Sequence, residues 1–300
     1  MPIVALPPQQ ISQPGGFDYM TVDAVRRRVY AAHGGASSLL IVDADTGKPL
    51  GTVKVGPMAG VAVDPANGHV YTGDGDDNAI SEVDPVSMKE VHRVAVDGHV
   101  DAIAYDPSLH RIYGDEDDGT RIFVIDTTTF KQIGTVALPG HKPEYLQIDP
   151  KTHVVYQNIA NMSEIAVIDP TTLKVTRTIA TPEITNNHPL QLDTLHDELL
   201  VGGENNKMSI YKTDGTKVQT VDFPTRVDQC DLDNASSTLV CAAGGKLTIV
   251  KTDGTSLTIA QQADVPKGVH TTTIDPKTGN VFVVYGNKDS AYIQKFTVTP

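Results

Sequence analysis

Short apolar runs, each broken by Asp, Asn, Gly or Pro, recur along the whole chain, and helical periodicity is nearly absent. Runs rich in Val, Ile, Thr and Tyr that alternate with turn residues predict strands joined in hairpins. The runs repeat in a fixed order. "VAVDPANGHVYTG", "IAYDPSLHRIYGD", "LQIDPKTHVVYQN" and "TTIDPKTGNVFVV" share one grammar, and "MTVDAVRRRVYAA", "LQLDTLHDELLVG" and "CDLDNASSTLVCA" are weaker copies. Aligning them on the turn aspartate gives Asp23, Asp64, Asp106, Asp149, Asp193, Asp233 and Asp275, spaced by 41, 42, 43, 44, 40 and 42 residues.

Each unit reads as four strands. An inner strand ends at the turn aspartate, whose carboxylate can bond the following backbone; Pro comes next in four of the seven copies. A second strand is centred on "VY". A third follows a Gly/Asn/Asp turn ("SLLIVD", "RIFVID", "EIAVID"), and a fourth closes the unit ("GTVKV", "HRVAV", "TRTIAT"). Four antiparallel strands in about 42 residues make one β-propeller blade. The expected fold is therefore all-β: a single seven-bladed propeller over residues 1–300, with blades at about 16–56, 57–97, 98–139, 140–184, 185–223, 224–264 and 265–300. The seventh blade runs out of sequence after its third strand. The orphan "PIVAL", at about residues 2–6, is expected to supply its outer strand and close the ring.

The pattern "DP….VY……..I.VID..T" resembles the YVTN-type propeller repeat of the YncE-like and surface-layer-associated proteins, across about Gly16 to Val298. The resemblance implies the fold, and binding or scaffolding more than a defined reaction. The Asn that ends the family's YVTN element is replaced in every blade, by His33, Asp74, Glu116, Ile159, Gly203, Ala243 and Tyr285.

A net charge of −13 and a pI near 5.1 argue against nucleic acid and anionic membrane as partners, which need a basic footprint. No apolar stretch reaches the length of a membrane helix. The opening "MPIVALPPQQISQPGG" lacks a basic segment and a long apolar segment, so it is not a secretory signal; it looks like a mature chain with a starting Met added back, which leaves a periplasmic or extracellular origin open as the expectation. The expected partners are a small molecule or metal ion, and the expected state is a monomer. Cys230 and Cys241 fall nearly opposite each other in the blade-six hairpin, which allows a disulfide if the chain is exported. The chain has no Trp, no GxSxG elbow and no phosphate-loop or dinucleotide fingerprint, and "DGDDNAISEVD" lacks the Gly and Glu placement of a calcium loop.

Five residues before each turn aspartate stand Asp18, Ala59, Asp101, Glu144, His188, Asp228 and His270. Six of these seven are metal-ligand or acid–base types. By analogy with other propellers, the starts of the inner strands and the loops after the second strands share one face at the channel mouth. Those loops add His33, Asp74, Asp76, Glu116, Asp117, Asp118, Asn158, Glu204, Asn205 and Asn206; His99, His141, Lys142 and Arg226 lie near the strand entries. Carboxylates that converge repel and must take up protons or a cation, and imidazole among carboxylates suits a divalent transition metal better than calcium. His188, His270, Asp228, Asp18, Asp101 and Glu144 are the metal-ligand candidates. His33, Asp74, Glu116, Lys142, Asn158, Glu204 and Arg226 form the candidate ligand rim. A water-filled polar channel is the structural alternative, and Lys142 and Arg226 can simply pair with Glu144 and Asp228. His69, His92, His110, His153 and His196 read as structural or exposed.

Two function classes follow. One is a binding propeller that holds a divalent metal or small ligand at the mouth. The other is a metal-dependent hydrolase or lyase, lactonase-like, with Glu144, Asp101, His99 and His141 as catalytic candidates. A metal-free interaction scaffold is a third reading, though no contiguous apolar top face supports it.

Overall fold

A computed structural model describes residues 3–298 of the 300. Residues 1, 2, 299 and 300, which include the start of the expected closing strand and the end of blade seven, lie outside the described residues.

Seven antiparallel sheets form the ring. Blade one is Met20–Asp23, Arg28–His33, Ser38–Asp43 and Pro49–Lys54, and the pattern repeats through blade six, which ends with Leu257–Asp264. Blade seven has Thr272–Ile274, Val281–Gly286 and Ala291–Val298. Its outer position is filled by the N-terminus in two pieces, Ile3–Ala5 paired with residues 296–298 and Gln9–Ile11 paired with 291–293. The break between them holds Pro7 and Pro8, which cannot donate to the ladder. The second piece was not anticipated from the sequence.

The second and third strands of each blade lie between neighbouring sheets, so both their faces are covered. Ser38–Asp43 and Ala79–Asp84 are buried except at their last residue, which explains why they read as continuous apolar runs. Outer strands such as Lys89–Ala95 are mostly exposed and carry the charges. The "VY" tyrosines Tyr30, Tyr71 and Tyr113, with Tyr211, are among the largest fully buried side chains. The repeat also has a backbone signature. The residue four after each turn aspartate has positive φ in all seven blades: Arg27, Gly68, His110, His153, Asp197, Ser237 and Gly279. Only two of these are glycine, so the turn's hydrogen bonds hold the other five in a region that L-residues rarely adopt.

The ring is clasped between its first and last blades. The Arg27 guanidinium donates to both oxygens of the buried Asp275 carboxylate, at 2.9 and 2.6 Å. Cys230 and Cys241 are directly opposite in register and form a buried disulfide within blade six. Among the described residues no helix is long and apolar enough to cross a membrane, and the disulfide is consistent with an oxidising compartment.

Candidate ligand site at the channel mouth

The inner strands deliver the site. In blades three, four and five each inner strand carries a bulge at its mouth end: between Val100 and Ile103, between Glu144 and Leu146, and between Asn187 and Leu190. A bulge re-aims the side chains beside it, and these three set the directions of Asp101, Glu144 and His188. The blade-five bulge is held from the neighbouring blade. Buried Asn158 donates its amide to the carbonyls of His188 and Pro189, at 3.0 and 3.2 Å.

His188 Nε2 lies between two carboxylates, 3.3 Å from Glu144 Oε2 and 3.6 Å from Asp228 Oδ1. Its Nδ1 is buried without a hydrogen-bond partner. Lys142 Nζ approaches Glu144 at 3.9 Å, and Arg226 donates to Asp228 at 2.6 Å while reaching Glu204 at 3.8 Å. On the far side Gln229 donates to Asp18 at 2.6 Å. The His270 charge favours the Asp18 carboxylate, and its Nδ1 lies 3.1 Å from the Gly268 carbonyl. His99 bridges the rim, with Nε2 2.7 Å from Asp76 and Nδ1 3.4 Å from Asp117. A cavity of about 270 Å³ is lined here by Asp18, Asp76, His99, Asp101 and Asp117. Below it Tyr19 and Tyr145 meet at 5.3 Å across the channel, over a lumen of about 320 Å³ whose lining includes Gln147, Gln191 and Asp231.

Burial and mutual repulsion load this mouth with protons. Burial pushes Glu144 up to about 8 despite Lys142, with Asp117, Asp228 and Asp18 adding to the rise. Burial likewise lifts Asp18 to about 6, against His270 and the Gln229 hydrogen bond. Asp101 is raised well above the usual carboxylate range by burial, then by Asp18, Asp115 and Glu144. Burial lowers His188, so its imidazole is held neutral and available as a ligand.

Other rim candidates sit elsewhere. His33 is fully buried and stacked on Phe17 with ring centroids 4.0 Å apart. Asp74 is buried beside Thr72 and Ser81 and ion-paired to Arg93. Glu116 is committed to Arg121 at 2.5 Å. His141 is exposed, and its backbone amide donates to Asn161 Oδ1 at 2.9 Å. The sequence reading missed Asp115, which is fully buried, accepts from the Ala102 amide and Gln157, and belongs to the repelling group. Its signal was a charged residue in a column nine after the turn aspartate, where the other blades have Ala, Gly, Asn or Val.

The mouth candidates do not form a closed metal shell. Among the described residues, the group of three that can hold a metal ion, with donor atoms all within 4.8 Å of one another, is Asp193, His196 and Glu198 at the opposite end of blade five. By sequence His196 reads as structural or exposed, and the structure instead sets it beside two buried carboxylates. Its Nδ1 lies 2.7 Å from Asp193 Oδ2.

No protein-family model and no curated protein sequence matches the chain. Among solved structures the chain is similar to the Kuenenia stuttgartiensis hydrazine synthase, at 15% identity and a TM-score of 0.83, covering 95% of this chain and 96% of that one. At that identity the likeness speaks for the fold alone, and the fold it shares with this chain is the seven-bladed propeller.

Proposed function

We propose that this protein is a binding propeller, of the kind its YVTN-like repeats resemble, that takes a divalent cation or a small ligand carrying positive charge at the mouth of its channel. The observation that carries the reading is neutral His188 between Glu144 and Asp228, with Asp18, Asp101 and Asp115 near enough to Glu144 to repel it. Glu144, His188 and Asp228 would contact the cation first. Asp18, Asp101 and His270 would hold its water or the rest of the ligand. Donors spaced more widely than a closed shell favour a hydrated ion or a ligand that enters with it.

Metal analysis of purified protein, before and after chelation and reloading with Zn²⁺ or Mn²⁺, tests the reading. The protein should take up a near-stoichiometric metal at the mouth, and His188→Ala combined with Asp228→Asn should weaken that uptake at least tenfold with the ring still folded. Unchanged uptake in the double variant would refute the site. The hydrolase or lyase reading uses the same mouth, with His99 between Asp76 and Asp117 as its general base. It requires metal-dependent turnover of a lactone, ester or uronide that falls in His99→Ala.

A further inference from the structure

We propose a second metal site, separate from the channel mouth, formed by Asp193, His196 and Glu198 at the opposite end of the blade-five inner strand. His188 and Asp193 lie five residues apart on Asn187–Asp193, so the two sites are roughly 17 Å apart along the strand. The proposal stands whether or not the mouth binds a cation.

Blade five is alone in this chemistry. Three and five residues after the turn aspartate it has His196 and Glu198; the other blades place Arg26 and Arg28, Asn67 and His69, Leu109 and Arg111, Thr152 and Val154, Ser236 and Thr238, and Thr278 and Asn280 there. Asp193 and Glu198 are directly opposite in register across the first hairpin. Like charges in that position repel, and both residues are buried, at 1% and 0% exposure. Lys212, the register partner of Glu198 on the next strand, donates to its Oε1 at 2.5 Å. Glu198 Oε2 is left buried with no hydrogen-bond partner. Asp193 has the Leu195 and His196 amides and His196 Nδ1 as partners, whereas Glu198 has the Lys212 ammonium on one oxygen alone, and a buried carboxylate oxygen with no donor is costly.

The geometry suits a transition metal. One donor atom from each residue lies within 4.8 Å of the others. Side-chain movement of about 1 Å brings such a set to the roughly 3.3 Å donor separation of tetrahedral coordination. The ion takes the place of the proton between His196 Nδ1 and Asp193 Oδ2 and faces the carboxylate of Glu198. An imidazole with two carboxylates selects Zn²⁺, Co²⁺ or Mn²⁺ over Ca²⁺ and leaves a fourth position for water. Room for the imidazole comes from the next blade: a Cβ on Gly254 would stand 2.4 Å from His196 Cδ2. Lys212 competes with the ion, and its half-exposed side chain can swing into solvent.

Co²⁺ titration of the Glu144→Gln/Asp228→Asn protein, followed by visible absorption, isolates this site from the mouth. The expected result is one tetrahedral Co²⁺ band, lost or weakened at least tenfold in added His196→Ala, which leaves the Glu198–Lys212 pair intact. Lys212→Met should tighten Co²⁺ binding several-fold by removing the competing charge. If Lys212→Met does not fold, the His196→Ala comparison decides alone. No band in the background protein, or the same band and affinity after His196→Ala, would overturn the proposal. The band in the background protein, with wild-type metal uptake no greater than that of the His188→Ala/Asp228→Asn protein, would support this site and overturn only the reading of the mouth.

Discussion

Glu144→Gln should flatten the pH dependence of stability in metal-free protein. Burial holds the folded carboxyl at about 8, against 4.5 in the unfolded chain. The unfolded chain therefore releases its proton first, and the fold loses stability as pH rises from about 4.5 to about 8; below 4.5 both states are protonated and the penalty vanishes. At about 1.4 kcal/mol per unit, the shift corresponds to a loss on the order of 4–5 kcal/mol, or about 5–8 °C in Tm for a chain of this length. Lys142 reduces that loss, and it is already counted among the causes of the shift. The assay is urea unfolding in EDTA at pH 5, 6.5 and 8.5 for both proteins. Asp18, Asp101 and Asp115 remain in the variant, so the difference between the two curves reports Glu144 together with its repulsion of Asp101 and Asp115. The variant should match wild type near pH 5 and exceed it by a few kcal/mol at pH 8.5. Parallel curves, or a variant that loses stability faster with pH, would refute the buried, protonated Glu144 and with it the argument that the mouth needs a cation.

Arg27→Met should cost about 3–5 kcal/mol in urea unfolding, because it leaves the buried Asp275 carboxylate without its bidentate partner and loosens the junction of blades one and seven. Replacing Cys230 and Cys241 together by Ala should cost about 3 kcal/mol, from the entropy of an unfolded chain no longer closed across 11 residues; equal unfolding midpoints with and without the bridge would refute a stabilising role. Deleting residues 1–11 removes both outer strands of blade seven and should lower Tm and expose the Ala291–Val298 edge, read as increased association in light scattering. Ser237→Gly should stabilise by up to about 1 kcal/mol by relieving its left-handed backbone; a loss of stability would show that the turn does not strain this residue.

The repeat was legible in the sequence because its information is local. Turn aspartates, "VY" strands and third-strand apolar runs recur at nearly constant spacing, and each blade contacts chiefly its neighbours, so periodicity alone determined the blade count, the strand order and the use of "PIVAL" to close the ring. The same alignment placed Glu144, His188 and Asp228 in one column, and the structure brings these three together. Tertiary structure decided the rest. His33 and Asp74 stand in the rim column by count, yet packing against Phe17 and pairing with Arg93 take them out of the mouth. Asp115 joined the acidic group because its strand faces the blade-three entry, a contact made between strands and not along one. The bulges that aim Asp101, Glu144 and His188 add or skip a residue only relative to a paired strand, so no single run of sequence displays them. Asp193, His196 and Glu198 lie within six residues of one another, and their types were visible from the start. That Asp193 and Glu198 face each other, buried, with Lys212 on one oxygen of Glu198, depends on the hairpin register and on the strand that carries Lys212. Local spacing sets which residues occur at a blade end; burial and register set their charge state and what they can bind.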